Sequence, residues 1–97
     1  MPYIPPELRP GLDQHIVALA EAINAAAGEL DGDAAYAGLL NYACTSLAIK
    51  TMPARRYWAI ATTSGVFANI ADEFYRRFAT PYEDEQIARN GDVYDGA

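Results

Sequence analysis

Apolar side chains recur every three or four positions along most of this chain, which is the spacing of one face of an α-helix. The longest such run covers residues 53–79 and contains no proline after its first residue. About 27 residues, each rising roughly 1.5 Å, predict a helix about 40 Å long. A compact domain of this size is about as wide as that helix is long. We therefore expect the other elements to pack along its apolar side, which is formed by Tyr57, Ile60, Ser64, Phe67, Ile70 or Ala71, Phe74 and Phe78.

Two shorter helices are predicted before this long one. The first begins at Leu12 and ends just before Gly28, since glycine suits the position just after a helix. An acidic turn follows over residues 29–33, where Asp33 is suited to cap the next helix. The second helix is expected over residues 34–51, because Pro53 biases the residue before it away from the helical conformation. Pro53 itself suits the first turn of the long helix.

A short fourth helix is predicted from the stretch Thr80-Pro81-Tyr82-Glu83. Thr80 is suited to the N-cap position and Pro81 to the first helical position, where its missing amide hydrogen costs nothing. Glu83 stands three residues after Thr80 and can complete a capping box. We expect this helix to end just before Gly91.

The two ends of the chain differ from the helical middle. Four prolines interrupt residues 1–11, which predicts an extended arm. Residues 91–97 form an acidic tail. Neither a strand pattern nor an internal repeat is found. The sequence therefore predicts one all-α domain over residues 1–97, a small bundle of about four helices with the long helix at its centre.

The charge balance limits the partners. The chain has 7 basic and 13 acidic residues and a net charge of −6. Duplex nucleic acid is excluded as an expected partner, because its binding needs clustered cationic surface. Six of the 7 basic residues are arginine, and the planar guanidinium group suits bidentate contacts better than general solvation.

Targeting signals and disulfides are not expected. Cys44 is the single cysteine, so no disulfide can form within the chain. Prolines near the N-terminus stand where a signal peptide would be apolar, and no run reaches the roughly 20 apolar residues of a membrane span. We expect a cytoplasmic protein that binds no membrane.

Enzymatic chemistry has little support in the sequence. His15 is the single histidine and has no metal-ligating neighbour at helical spacing, while Cys44 is expected to be a small buried apolar residue. All-α nucleotide pyrophosphohydrolases of the MazG-like class bind Mg²⁺ with carboxylates repeated on two long helices, and that pattern is absent. This enzyme class remains the least favoured alternative function, and we expect no catalysis, no cofactor and no bound metal.

The C-terminal third, EFYRRFATPYEDEQIARNGDVY, resembles a small family of uncharacterised proteins found in phage and prophage genomes. The opening PYIPPELRPGLDQHIVALAEAI and the stretch Leu40-Asn41-Tyr42-Ala43 are also similar, whereas the middle is richer in alanine than the family pattern. The resemblance implies a phage accessory protein acting in a bacterial host, and it brings no activity or site residue with it. The matching positions are Glu73, Tyr75-Arg76-Arg77, Pro81-Tyr82-Glu83-Asp84, Ile87 and Asn90-Gly91-Asp92-Val93-Tyr94.

Two clusters of arginine and aromatic residues are the candidate binding sites. The helix start predicted at residue 53 offers free amide groups and a positive dipole end. Guanidinium groups there can hold a phosphate, and flat rings can stack on a base. An antiparallel dimer would bring the first cluster of one chain near the second cluster of its partner. The first cluster is Arg55, Arg56, Tyr57 and Trp58, and the second is Tyr75, Arg76 and Arg77.

Three interpretations of these clusters stay open. In the structural one, the arginines pair with acids, as Asp72 can with Arg76 and Glu73 with Arg77 at the favourable spacing of four, and the aromatic residues fill a core. In the second, the protein is a non-enzymatic homo-oligomer that sequesters a small nucleotide-like anion, such as a host immune signal. In the third, the acidic surface inhibits or adapts a basic host protein.

Overall fold

A computed structural model describes residues 3–94 of the chain. Those residues form four α-helices, named α1 (Arg9–Gly28), α2 (Ala35–Thr51), α3 (Tyr57–Phe74) and α4 (Thr80–Asn90). Pro6–Leu8 adds a turn of 3-10 helix, and Tyr75–Ala79 is a π-helical turn that joins α3 to α4. No β-strand occurs within the described range. The predicted all-α class is therefore confirmed.

The first helix begins earlier than its apolar pattern predicts. The Leu8 amide donates to the Pro5 carbonyl at 3.0 Å and closes the 3-10 turn, and α1 follows directly at Arg9. Pro10 lies in the first turn of α1, where the amide hydrogen that proline lacks would have no partner within the helix. The predicted extended arm is thus wrong for residues 6–11, while residues 1–2 lie outside the described range.

Helices α1 and α2 contact each other and form a helical hairpin. The loop over residues 29–34 contains Gly32, whose φ of 96° lies in the left-handed region that favours glycine. The predicted Asp33 cap is wrong, because Ala34 is the N-cap residue of α2 and no side chain caps this end. A backbone turn replaces the cap: the Ala35 amide donates to the Gly32 carbonyl at 3.3 Å.

The second helix ends where proline predicts, but the third begins later than predicted. Met52 is extended, with φ −63° and ψ 122°, as expected for a residue before proline. Residues 53–56 are not helical, and α3 begins at Tyr57 after an extended Arg56 with φ −133° and ψ 157°. A helix starting at residue 53 would place Arg55 and Arg56 in its first turn, where the positive end of the helix dipole repels them.

The predicted break between the third and fourth helices does not occur. Thr80 has helical angles, φ −61° and ψ −49°, and its amide donates to the Tyr75 carbonyl five residues earlier. Pro81 cannot donate, and the extra residue of the π turn accommodates it inside an uninterrupted helix. The predicted capping box of Thr80 and Glu83 is therefore wrong. Residues 57–90 form one helical segment, so the described chain has three helical segments rather than four.

Two compact units make up the chain, residues 1–52 and residues 53–97. The first contains the α1–α2 hairpin, and the second contains the segment 57–90, which ends as predicted before Gly91 with its φ of 84°. Among the described residues only Ala59 is buried, with 1 % of its surface exposed. The prediction of a single domain over residues 1–97 stays a prediction.

Candidate functional site

The first arginine–aromatic cluster surrounds the start of α3, and we call Arg55, Arg56, Tyr57 and Trp58 the entry cluster. Arg56 occupies the N-cap position, yet its side chain makes no capping hydrogen bond. The first turn of α3 contains no acidic residue. The first amide groups of a helix have no carbonyl partner within it, so the positive end of this helix is neither capped nor neutralised by its own sequence.

The side chains of the entry cluster are open to solvent. Arg55 and Arg56 are exposed, and neither forms an ion pair within residues 3–94. Tyr57 is 85 % exposed and Trp58 is 56 % exposed. Two guanidinium groups, uncapped amides and two flat rings therefore lie within four residues. Groups of these kinds are able to bind a phosphate and to stack on a planar ring.

The second cluster lies in the π turn, and we call Tyr75, Arg76 and Arg77 the turn cluster. The Oε1 atom of Glu73 accepts hydrogen bonds from Arg76 Nη2 at 3.0 Å and from Arg77 Nε at 2.6 Å. The predicted Glu73–Arg77 pair is confirmed. The predicted Asp72–Arg76 pair is wrong, because the Arg76 side chain reaches the acid three residues before it instead.

Hydrogen bonds shift two pKa values in and beside the turn cluster. The bonds from Arg77 and then Arg76 lower the pKa of Glu73, because they stabilise its carboxylate. The Tyr75 hydroxyl donates to Glu83 Oε1 at 2.8 Å, which raises the pKa of Tyr75. The turn cluster thus already has an internal anionic partner, whereas the entry cluster has none among the described residues.

The two clusters are too far apart on one chain to hold the same small ligand. Arg76 lies nineteen positions after Tyr57 along the helical segment, which corresponds to a rise of roughly 28 Å. A site that combines both clusters therefore needs two chains.

The other residues singled out in the sequence do not form a site. His15 is exposed on α1, and Cys44 is a half-buried free thiol on α2 rather than a fully buried residue. Within residues 3–94, no group of three or more histidine, cysteine, aspartate or glutamate side chains lies in an arrangement that could hold a metal ion. The helices in that range also lack the length and apolar character needed to cross a membrane.

Two features escaped the sequence reasoning. One is the Tyr75–Glu83 hydrogen bond, because a spacing of eight residues is not a helical contact until a π turn adds a residue. The other is a groove of about 440 Å³ between α1 and α2, lined almost entirely by apolar atoms. The lack of charge in α2, where Lys50 is the single charged residue, indicates such an apolar surface in the sequence. Val93 and Tyr94 line an open hollow together with Tyr75.

Comparison with known families identifies the chain. The family model described as a domain of unknown function, DUF6899, matches residues 1–93. The chain belongs to the DUF6899 family. The match covers every helix of this DUF6899 protein and both arginine–aromatic clusters, and it confirms the expectation of a family without an assigned activity. No curated protein and no solved structure matches the DUF6899 chain.

Proposed function

We propose that this DUF6899 protein is a non-enzymatic, homo-oligomeric binding protein that captures a small anionic, nucleotide-like ligand at the entry cluster. The ligand's phosphate contacts the guanidinium groups and the first amides of α3, and its base stacks on Tyr57 or Trp58. No bond is made or broken in the ligand. Its affinity comes from charge-assisted hydrogen bonds and stacking.

One observation carries this proposal: the start of α3 is a positive helix end without a side-chain cap, beside two arginines that form no ion pair within residues 3–94. A cation near a helix N-terminus costs about 0.3–1 kcal/mol where an anion there would stabilise the helix by a similar amount. A bound phosphate makes the electrostatic free energy at this helix end favourable, because its negative charge attracts Arg55, Arg56 and the positive end of the helix dipole.

The turn cluster of a second chain can complete the site. Arg76 and Arg77 both bond to the same carboxylate oxygen of Glu73, so two guanidinium groups lie close together in the π turn. In an antiparallel pair of chains, the start of α3 in one chain lies near the π turn of the other. This arrangement supports a ligand held between chains rather than on one.

The biological setting belongs to the same proposal. The likeness of residues 73–94 to phage and prophage proteins supports a phage accessory protein that acts in the cytoplasm of a bacterial host. A protein that binds a nucleotide without altering it lowers the free concentration of that nucleotide. We propose that it sequesters a nucleotide signal of the host's defence.

Isothermal titration of the purified protein with cyclic and linear nucleotides tests ligand capture. We expect at least one nucleotide to bind, and we expect Arg55→Ala or Arg56→Ala to weaken that binding about 10- to 150-fold. This range corresponds to the loss of one hydrogen bond to a charged group, about 1.5–3 kcal/mol.

Arg89→Ala is the matched control, because it removes the same charge from an exposed position on α4. It should leave the affinity within about twofold, since it does not touch the entry cluster. If no nucleotide binds the wild-type protein, or if Arg89→Ala weakens binding as much as Arg55→Ala, the proposal is wrong.

A second candidate function rests on the acidic surface. Thirteen acidic residues stand against 7 basic ones, and within residues 3–94 Glu73 is the acid for which salt bridges are found. Such a surface suits an inhibitor or adaptor of a basic host protein. This function predicts binding that collapses as salt is raised from about 0.05 to 0.5 M and survives Arg55→Ala, which is the opposite of ligand capture.

A further inference from the structure

One face of α3 repeats with the spacing of a coiled coil. Its residues follow one another at alternating intervals of three and four positions from the first residue of α3 to the last, which is the pattern of two helices packed side by side. Among the described residues of the unit 53–97, residues 57–90 form the single helical segment, so no other helix of that unit covers this face. We call the face the α3 stripe, and it consists of Tyr57, Ile60, Ser64, Phe67, Ala71 and Phe74.

The sizes of the stripe residues are complementary between two antiparallel copies. A two-fold axis that passes between positions 65 and 66 places Ser64 opposite Phe67 of the partner subunit. The same axis places Ala71 opposite the partner's Ile60. Each of these layers joins one small and one large side chain, and such alternation lets facing helices interdigitate without voids.

The π turn sets the register of this pairing. It begins at Tyr75 and rotates every later side chain by about 100°, so the stripe ends with Phe74. In the register described, Tyr57 lies opposite Phe74 of the partner subunit and forms an aromatic pair with it. Sliding one copy by a heptad in either direction leaves stripe residues at one end without an opposite residue on α3.

The charges at the two ends of α3 favour the antiparallel direction over the parallel one. Residues 57–71 contain no charged side chain, so most of the contact desolvates no charge. In a parallel pair, Arg55 and Arg56 of both copies would meet at two positive helix ends and repel one another. In an antiparallel pair they lie beside residues 72–77 of the partner, where two acids balance two arginines. One of those acids, Asp72, forms no salt bridge within residues 3–94.

We propose that two copies of this chain pair through the α3 stripe as an antiparallel helix pair with two-fold symmetry. Such a contact uses the same surface on both copies, as in most homodimers. It places the entry cluster of one copy beside the turn cluster of the other, so guanidinium groups from both chains surround the ligand site. The inference rests on the self-association part of the proposed function and identifies the surface that provides it.

The first test is the mass of the full chain in solution without ligand, by sedimentation velocity and native mass spectrometry. We expect a dimer at micromolar concentration. Ser64→Glu places a carboxylate in the central layers of both copies and should raise the dissociation constant about 100-fold or more, because each buried charge must be desolvated. Asn69→Glu is the matched control: it adds the same charge to α3 about 170° around the helix from the centre of the stripe and should leave the dimer intact.

Cross-linking keeps the proposal testable if Ser64→Glu fails to fold. In a Cys44→Ser background, Ala68→Cys should give a covalent dimer with a short bismaleimide. Position 68 lies at the edge of the stripe near the two-fold axis, and adjacent helix axes are about 8–10 Å apart. Asn69→Cys in the same background points away from the partner and should give none.

A wild-type monomer overturns the proposal. A dimer that survives Ser64→Glu, or one that does not cross-link at position 68, also overturns it, because either result assigns the contact to another surface or register. Ligand capture is measured separately by titration. A dimer that binds no nucleotide contradicts ligand capture alone, and a monomer that binds a nucleotide contradicts this inference alone.

Discussion

At the scale of single residues, Glu73 has the best-defined electrostatic environment in the described chain. One carboxylate oxygen accepts from two guanidinium groups, Arg76 at 3.0 Å and Arg77 at 2.6 Å. Helical spacing alone predicted the Glu73–Arg77 pair. It equally predicted an Asp72–Arg76 pair that does not form, because spacings of three and four are both within reach on a helix and the sequence does not choose between them.

The pKa of Glu73 links this contact to pH. Its pKa is lowered in the folded protein by the bonds from Arg77 and then Arg76. The folded state therefore binds a proton at Glu73 less readily than the unfolded state does. The contribution to the free energy of unfolding is present above the ordinary glutamate pKa, about 4.3, and is lost as the pH falls through the folded value.

We predict that the stability difference between wild type and Glu73→Gln is present at neutral pH and shrinks as the pH falls below about 4.3. Glutamine keeps the shape of the side chain but cannot titrate. Urea unfolding at a series of pH values measures the difference. In a direct check by NMR, Arg77→Gln should raise the pKa of Glu73 more than Arg76→Gln does. A stability gap that is the same at every pH would contradict the prediction.

At the scale of elements, the π turn decides how residues 57–90 are built. Pro81 removes one amide donor, and in a regular α-helix it would leave a carbonyl unpaired and collide with the preceding turn. The π turn Tyr75–Ala79 inserts one extra residue directly before Pro81, which relieves the collision. It also places Glu83 effectively seven helical positions from Tyr75, on the same face. Without it, Glu83 would lie about 100° further around the helix.

We predict that Pro81→Ala converts the π turn to regular α-helix, because alanine restores the missing amide donor. We expect the free energy of unfolding to rise by up to about 3 kcal/mol and the Tyr75–Glu83 hydrogen bond to be lost. Without that bond, the raised pKa of Tyr75 should return toward its ordinary value. Unfolding experiments and ultraviolet titration of the tyrosines measure the two effects.

Pro10→Ala is the control for this prediction. Pro10 lies in the first turn of α1, where its missing amide hydrogen costs nothing, so stability should change by less than about 0.5 kcal/mol. If Pro81→Ala also left both stability and the Tyr75 titration unchanged, the π turn would have a cause other than proline.

At the scale of the whole molecule, folding and association should be one process. Within residues 3–94 only Ala59 is fully buried, and association into the proposed homo-oligomer would bury further apolar side chains. Each buried large apolar side chain contributes about 1.5–3 kcal/mol. That term is lost when the copies separate, and obligate homodimers therefore often lack a stable folded monomer.

We predict that the melting temperature rises by about 3 °C for each tenfold increase in protein concentration. The value follows from mass action for a dimer that unfolds to two separate chains. Differential scanning calorimetry over two decades of concentration measures it. A melting temperature independent of concentration for the wild type would show that the single chain is stable alone.

Much of this protein was predictable from local pattern. Apolar spacing predicts helices within a few residues of α1, α2 and α3, and Pro53 predicts the break after Thr51. Each of these depends on hydrogen bonds and contacts between residues at most four apart. The entry cluster was likewise visible as a short run of arginine and aromatic residues, and the structure adds that Arg55 and Arg56 have no ion pair within residues 3–94.

The sequence by itself determined the all-α class, the positions of α1 and α2 and the family, because these follow from local helical preference and from the pattern over residues 1–93. Only the tertiary structure decided that α3 continues into α4 and that Glu83 bonds Tyr75 instead of capping a helix. The physical reason is range. A π turn shifts every later side chain by about 100°, so the contacts beyond it cannot be read from residues three or four apart.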